Sequence, residues 1–176
     1  MNKYISPLRY PGGKTRVPKQ LFEMFPRFQE YREPFIGGGS VFFHAKTGAN
    51  HGKYWINDAN SDLYFFWHSV KNSVDELIDE VLVLRNKFFG WGKELYDYLK
   101  QQSTSQPPLQ TAVRFFILNR ITYSGLTDAG GYSNESFEKR FTLSSITKLV
   151  EVSKLLQAVE ITNSDYETLE SKMKKT

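Results

Sequence analysis

A chain of 176 residues, 40% hydrophobic and 24% charged, has the size and apolar content of one ordinary globular domain, which argues against disorder. No stretch approaches the ~20 uninterrupted apolar residues of a membrane span, and Met1 to Tyr10 lacks the apolar run of a secretory leader, so a cytoplasmic protein without membrane contact is expected. The absence of cysteine excludes disulfides, thiolate zinc sites and cysteine nucleophiles, including those that methylate carbon-5 of cytosine, while a net charge of +4 is compatible with a polyanionic partner without requiring one.

In chain order, Ser6-Pro7-Leu8-Arg9-Tyr10 reads as an extended lead into the turn Pro11-Gly12-Gly13, followed by a helix from about Lys14 to Phe25. Tyr31 to Ile36 is a strand that ends in Gly37-Gly38-Gly39, and Ser40 opens a helix reaching Lys46. Lys53 to Ile56 is a second strand closed by Asn57-Asp58, and Ser61 to Val70 is the next helix. Leu77, Ile78, Val81, Leu82, Leu84 and Phe88 recur at helical spacing between Val74 and Phe89. A polar loop from Gln101 to Gln110 contains Pro107-Pro108, and a helix near Thr111 to Thr122 follows it. A polar, glycine-bearing stretch runs from Tyr123 to Arg140. Ser144-Ser145 then caps a helix to about Ala158, and Val159 to Thr162 is a third strand ending at Asn163-Ser164-Asp165-Tyr166.

The glycine run between a strand and a helix lets backbone amides approach a ligand at the helix N-terminus, and Asp58 ends the next strand about 20 residues later. A carboxylate there can accept both hydroxyl hydrogens of an adenosine ribose. That suits either a nicotinamide dinucleotide or S-adenosylmethionine, and a tight turn that merely packs has the same residues. A dinucleotide fold ordinarily opens on its glycine strand, whereas here Tyr10-Pro11-Gly12-Gly13-Lys14 precedes it, which favours S-adenosylmethionine. Aromatic residues are 15% of the chain, as in proteins that stack bases and equally as in an aromatic-rich core.

Ser6-Pro-Leu-Arg-Tyr10-Pro-Gly-Gly-Lys14, Arg32-Glu-Pro-Phe-Ile-Gly-Gly-Gly-Ser40 and Ile56-Asn-Asp-Ala-Asn-Ser-Asp-Leu63 resemble, in order and spacing, successive motifs of the Dam-like (D12 class) DNA adenine-N6 methyltransferases. The resemblance continues through Asn119-Arg-Ile-Thr-Tyr-Ser-Gly-Leu126 and Arg140-Phe-Thr-Leu-Ser-Ser-Ile146 to Asn163-Ser-Asp-Tyr166, nearly the whole chain. It implies an α/β fold: an incomplete Rossmann-like class I methyltransferase sheet with an inserted helical DNA-recognition subdomain. Residues 1–65 and 146–176 would form a partial cofactor domain, and 66–145 the target-recognition insertion.

The resemblance also assigns roles. Tyr10 would pack on the sulfonium side of S-adenosylmethionine, Lys14 would pair with its methionine carboxylate and Glu33 would accept from its amino group. Phe35, Gly37, Gly39 and Ser40 belong to the same site, and Asp58 would hold the ribose. Asp165 and Tyr166 would bracket the adenine, one accepting from its exocyclic amine and the other lying on its face. Arg120, Tyr123, Lys139 and Arg140 fall in the segment that meets double-stranded DNA beside the adenine to be flipped. Thr127 to Ser133 stands where relatives that read GATC carry an arginine-bearing loop, so the recognition sequence is not implied.

Amino-group methylation in this family uses an Asp/Asn-Pro-Pro-Tyr/Phe element whose acceptors orient the adenine N6 amine. The one Pro-Pro here, in Gln106-Pro107-Pro108-Leu109, has neither the preceding acid or asparagine nor the following aromatic residue. The expectation is a chain truncated before that element, inactive alone and dependent on a complementing C-terminal polypeptide for transfer. The alternative is a DNA- or cofactor-binding remnant.

Overall fold

A computed structural model describes residues 6–10, 28–48, 52–103 and 105–173. The expected turn at 11–13 and helix at 14–25, with Lys14, lie outside the described residues. Three short parallel strands, β1 (Glu30–Glu33), β2 (Lys53–Asn57) and β3 (Val159–Thr162), lie side by side in the order β1-β2-β3. Tyr31 is in register with Tyr54, and Ile56 with Ile161. The fold is thus α/β with a Rossmann-like parallel sheet, as expected. β1 stops at Glu33 rather than Ile36 because Pro34 has no amide to donate to a ladder.

Between β1 and β2 runs α1 (Ser40–Gly48), which buries Phe42, Phe43 and Ala45. Six helices fill the long crossing from β2 to β3: α2 (Ser61–Asn72), α3 (Val74–Lys87), α4 (Gly92–Gln101), α5 (Pro108–Ile121), α6 (Asn134–Arg140) and α7 (Leu143–Leu156). After β3 comes α8 (Tyr166–Met173). The sequence pattern carried no signal for α4 or α6 as separate helices. α4 is entered through the left-handed Gly90 and alternates buried Leu95 and Leu99 with polar residues, and α6 is short and begins at the Ser133 cap, whose side chain accepts from the Ser136 amide. The seventh helix starts one turn earlier than its serines suggest, with Thr142 and Ser145 forming a reciprocal capping box.

The organising element is α5. From Thr111 to Asn119 every residue is buried, the signature of a helix surrounded by protein. It packs on α2, where Phe66 stacks flat on Phe116 at 5.7 Å and 3°. Each such fully buried large side chain contributes roughly 1.5–3 kcal/mol. Arg114 is buried with them, its Nε donating to the Leu99 carbonyl and its Nη1 paired with Asp62 at 3.3 Å, which joins α4, α2 and α5. One hydrophobic cluster runs from Tyr31 and Ile56 in the sheet through Phe66 and Phe116 to Leu149, and the expected divisions at 65/66 and 145/146 fall inside α2 and α7. The practical result is that both faces of the candidate site stand on a shared core.

Candidate cofactor cradle and nucleic-acid face

Phe35 and Ile36 carry the chain from β1 into the glycine turn. The Ile36 amide donates to the Asn57 carbonyl at 2.9 Å, and the Gly39 amide turns back to Ile36 at 2.8 Å. Gly39 sits at φ +72°, and a Cβ there would lie 2.8 Å from the Phe43 ring, so this position demands glycine on two counts. Trp67, buried in α2, donates its indole N–H to the Gly37 carbonyl at 3.2 Å, and Ser6 donates its hydroxyl to the Gly38 carbonyl. Tyr10 covers the turn from outside, with its ring about a van der Waals contact from Gly37.

Asp58 stands at the C-terminal end of β2. Its Oδ2 accepts from the Gly37 amide and its Oδ1 from the Asn60 amide, each at 3.0 Å. Each carboxylate oxygen therefore keeps a free lone pair, and the pair is fixed in orientation by backbone. The Tyr10 hydroxyl is held above its ordinary range, first by burial and then by the negative charge of Asp58, and both residues touch Gly37. Across the sheet end, Phe35 and Tyr166 present nearly parallel rings, 6.3 Å between centroids and 18° apart, although both are exposed (62% and 59%). Asp165 accepts from the Thr168 amide at 2.8 Å, which holds its carboxyl below the usual range.

Glu33 differs from its neighbours. Its carboxylate accepts from the Tyr31 hydroxyl at 2.6 Å, and burial pushes it up to about 7 against the opposing pull of that hydroxyl and the Phe42 amide. It sits under the start of α1, held from inside the fold.

Asn57, given no role in the sequence reading, is the hub of the cradle. Fully buried, its Nδ2 donates to the carbonyls of Pro34 (3.0 Å) and Ser164 (2.9 Å), and its Oδ1 accepts from the Thr162 hydroxyl (2.8 Å) and the Ser164 amide (2.9 Å). One side chain thereby ties the C-terminal ends of all three strands together. Asn163 adds a strut, donating to the Asp58 carbonyl at 2.7 Å and accepting from Ser61. The signal in the sequence was the Asn-Asp pair closing a strand, of which only the acid suggested chemistry.

The second group lies beyond α5. Tyr123 to Gly125 form a single 3-10 turn in which Ser124 (φ 54°) and Gly125 (φ 74°) are left-handed, and Tyr123 projects at 63% exposure beside Leu126 at 42%. Lys139 is exposed and paired with Glu135 at 3.1 Å, and Arg140 is exposed at the end of α6. Arg120 is half-buried. Its Nη1 donates to the Pro7 carbonyl at 2.8 Å and its Nε to the Arg140 carbonyl at 3.1 Å. Burial, with the charges of Arg9 and Arg140 beside it, lowers its guanidinium to about 10. Arg9 and Asn119, also unassigned from sequence, connect this group to the N-terminal lead through the Arg9 peptide and side chain. Among the described residues no group of three or more histidine, aspartate or glutamate side chains is placed to hold a metal ion, and no helix is long and apolar enough to cross a membrane.

Of the residues singled out from sequence, Tyr10, Phe35, Gly37, Gly39, Ser40, Asp58, Asp165 and Tyr166 all lie at the C-terminal ends of the strands, where open parallel sheets bind ligands. The sequence model of the D12 class N6 adenine-specific DNA methyltransferases matches residues 10–176. The chain belongs to that family. Among similar proteins, the Type II methyltransferase M.MjaIII of Methanocaldococcus jannaschii is 32% identical across 93% of this chain and 63% of its own length. The DNA adenine methylase of Escherichia coli K12 is 31% identical across 72% of the chain and 44% of its own. For the DNA N-6-adenine-methyltransferase of Escherichia phage P1 the identity is 31%, across 68% and 15%. The chain thus spans less than two thirds of the length of these relatives.

Proposed function

We propose that this chain supplies the cofactor-binding and duplex-facing parts of an S-adenosylmethionine-dependent methyltransferase acting on adenine N6 in double-stranded DNA. The observation that carries the reading is Asp58: a carboxylate locked by two backbone amides, with one acceptor site free on each oxygen, at the mouth of a glycine turn. That donor and acceptor set fits the cofactor. Asp58 would hold the ribose hydroxyls. Phe35 and Tyr166 would contain the adenine with Asp165 accepting from its amine, while Tyr10, Gly37, Gly39 and Ser40 would line the methionine side; Lys14 and Glu33 are assigned there by family resemblance. When bound, S-adenosylmethionine supplies a methyl group on a sulfonium, ready for direct displacement.

On the other face, Tyr123 would stack against or wedge the duplex, and Lys139 and Arg140 would meet phosphates. Arg120 would act from behind them, its cation holding the Pro7 and Arg140 carbonyls in place. A DNA substrate makes the cytoplasm the working compartment.

Transfer requires acceptors for the N6 amine, and the 176 residues contain no Asp/Asn-Pro-Pro-Tyr element. Pro107 and Pro108 have a structural use instead, as the cap and first residue of α5, where a missing amide costs nothing. These 176 residues by themselves are therefore assigned binding without methyl transfer, the N6 acceptors having to come from outside them.

Calorimetric titration of S-adenosylmethionine into the 176-residue chain tests this reading. Micromolar binding, about 8 kcal/mol, is expected. Asp58→Ala should weaken it by at least about 2 kcal/mol, the scale of a hydrogen bond to a charged group. No binding by the wild-type chain would overturn the cofactor assignment, and rapid adenine methylation by the purified chain would overturn the assigned inactivity.

A further inference from the structure

The segment Ser6 to Tyr10 is bonded to both candidate faces. Toward the glycine turn, Ser6 donates to the Gly38 carbonyl and the Tyr10 ring lies against Gly37. Toward the duplex face, the Arg9 guanidinium donates to the Thr122 carbonyl and the Ser136 hydroxyl, both at 2.9 Å, and the Pro7 carbonyl accepts from Arg120. Between them stands Asn119. Fully buried in α5, its Oδ1 accepts from the Arg9 amide at 2.9 Å, and its Nδ2 donates to the Arg9 carbonyl at 2.6 Å and the Gly125 carbonyl at 3.0 Å. The side-chain amide grips both ends of Arg9 and the last residue of the Tyr123 turn at once. Gly125 is so close to the Arg9 carbonyl that a Cβ there would overlap it.

We infer that Asn119 is a positioning residue that couples the two faces: through Arg9 it makes the placement of Tyr10 over the glycine turn and the conformation of the exposed Tyr123 turn a single variable. This rests on the functional reading above. The Tyr123 turn holds two successive left-handed residues, one of them Ser124, which costs on the order of 1 kcal/mol or more unless neighbours over-determine it. Asn119 and Arg9 are among the neighbours that do so, alongside the Gly131 carbonyl, which accepts from the Tyr123 amide. A ligand that fixes Tyr10 also fixes Arg9 one residue away, so less ordering remains for a duplex that seats on Tyr123, and the two bind with positive cooperativity. By linkage the effect must be mutual.

The test is S-adenosylmethionine affinity of the 176-residue chain, measured by calorimetry without and with a saturating short duplex of mixed sequence. The duplex is expected to tighten cofactor binding by roughly fivefold or more, the lower end of measured couplings, and the cofactor should tighten duplex binding by the same factor. In Asn119→Ala both ratios should fall to about one. Gly125→Ala leaves Asn119 intact and displaces the Arg9 carbonyl, and it should abolish the ratios in the same way, so the test survives if one variant fails to fold. A residue that merely stabilised the fold would change the affinities and leave the ratio alone. A wild-type chain that binds both ligands indifferently, or variants that retain the ratio, would overturn the coupling alone. A chain that binds neither would overturn the functional reading with it.

Discussion

Two glycine-bearing turns face each other across the segment Ser6 to Tyr10, and they are built on opposite plans. At Gly37–Gly39 the side chains are absent and everything else closes in: Phe43, Trp67 and Tyr10 pack the turn, the three carbonyls are given partners, and so are the Gly37 and Gly39 amides. At Tyr123–Gly125 the left-handed backbone is likewise enforced, but the Tyr123 and Ser124 side chains are exposed, and the support is shared by the buried amide of Asn119, the close Arg9 carbonyl and the Gly131 carbonyl, which accepts from the Tyr123 amide. The first, the proposed cofactor cradle, is packed from all sides. The second is a platform whose aromatic ring stands mostly in solvent. What distinguishes them is where the tolerance lies, in the ligand-facing side chain for the platform and nowhere for the cradle.

The largest test of that contrast is Gly39→Val. A β-branched residue at φ +72° with the Phe43 ring 2.8 Å from its Cβ should cost about 3 kcal/mol in urea unfolding, and calorimetry should find cofactor binding gone. A variant of wild-type stability would mean the cradle is not rigid. Next in size is the pair Arg120→Ala and Arg140→Ala. Losing Arg120 frees two carbonyls, so about 1–2 kcal/mol of stability should be lost while the salt dependence of duplex binding stays as it was. Arg140→Ala should leave the melting temperature nearly unchanged and lower the slope of log affinity against log salt by about one. A reversed outcome would exchange the roles of these two arginines.

Glu33 gives a smaller, pH-dependent effect. Its carboxyl is pushed up to about 7 in the folded chain and titrates near 4.3 when unfolded, so between those values the folded state holds more protons. Stability from this group is then highest below about pH 4 and is lost as pH rises through 7. Relative to Glu33→Gln, the wild type should lose on the order of 1 kcal/mol between pH 5 and 8, a figure reduced for water's access to a half-buried group. A pH-independent difference between the two proteins would remove the charge argument. Smallest in stability is Tyr123→Ala, expected to shift unfolding by less than about 0.5 kcal/mol because the ring touches little. Fluorescence anisotropy should nevertheless show weaker duplex binding by roughly 1–3 kcal/mol, and unchanged binding would remove Tyr123 from the interface.

The cradle was legible in the sequence because its constraints act over short distances. Glycines that need φ above zero, Ser40 at the helix start and Asp58 at a strand end each carry their own local signature. The three strands were found for the same reason, apart from the truncation that Pro34 imposes on β1. What could not be read was what depends on partners far along the chain. Asn57 meets Ser164 and Asn119 meets Arg9, more than a hundred residues distant in each case, and nothing local marks an asparagine as a hub. Arg120 illustrates the converse. A cation near an expected duplex face suggests phosphate, and only the tertiary fold brings the Pro7 carbonyl to it. The helices α4 and α6 escaped because one follows a glycine-bearing turn and the other is two turns long, too short for periodicity to register.

The bond from Trp67 to the Gly37 carbonyl gives the protein a fluorescent reporter of its own. Of the three tryptophans, Trp91 is open to solvent, Trp55 is partly shielded on the sheet, and Trp67 is sealed in the core with its indole hydrogen committed to the glycine turn. A soluble quencher should silence Trp91 first and Trp55 next, leaving an emission dominated by Trp67 beside the Gly37 carbonyl. The cradle can therefore be watched as it fills, without a label.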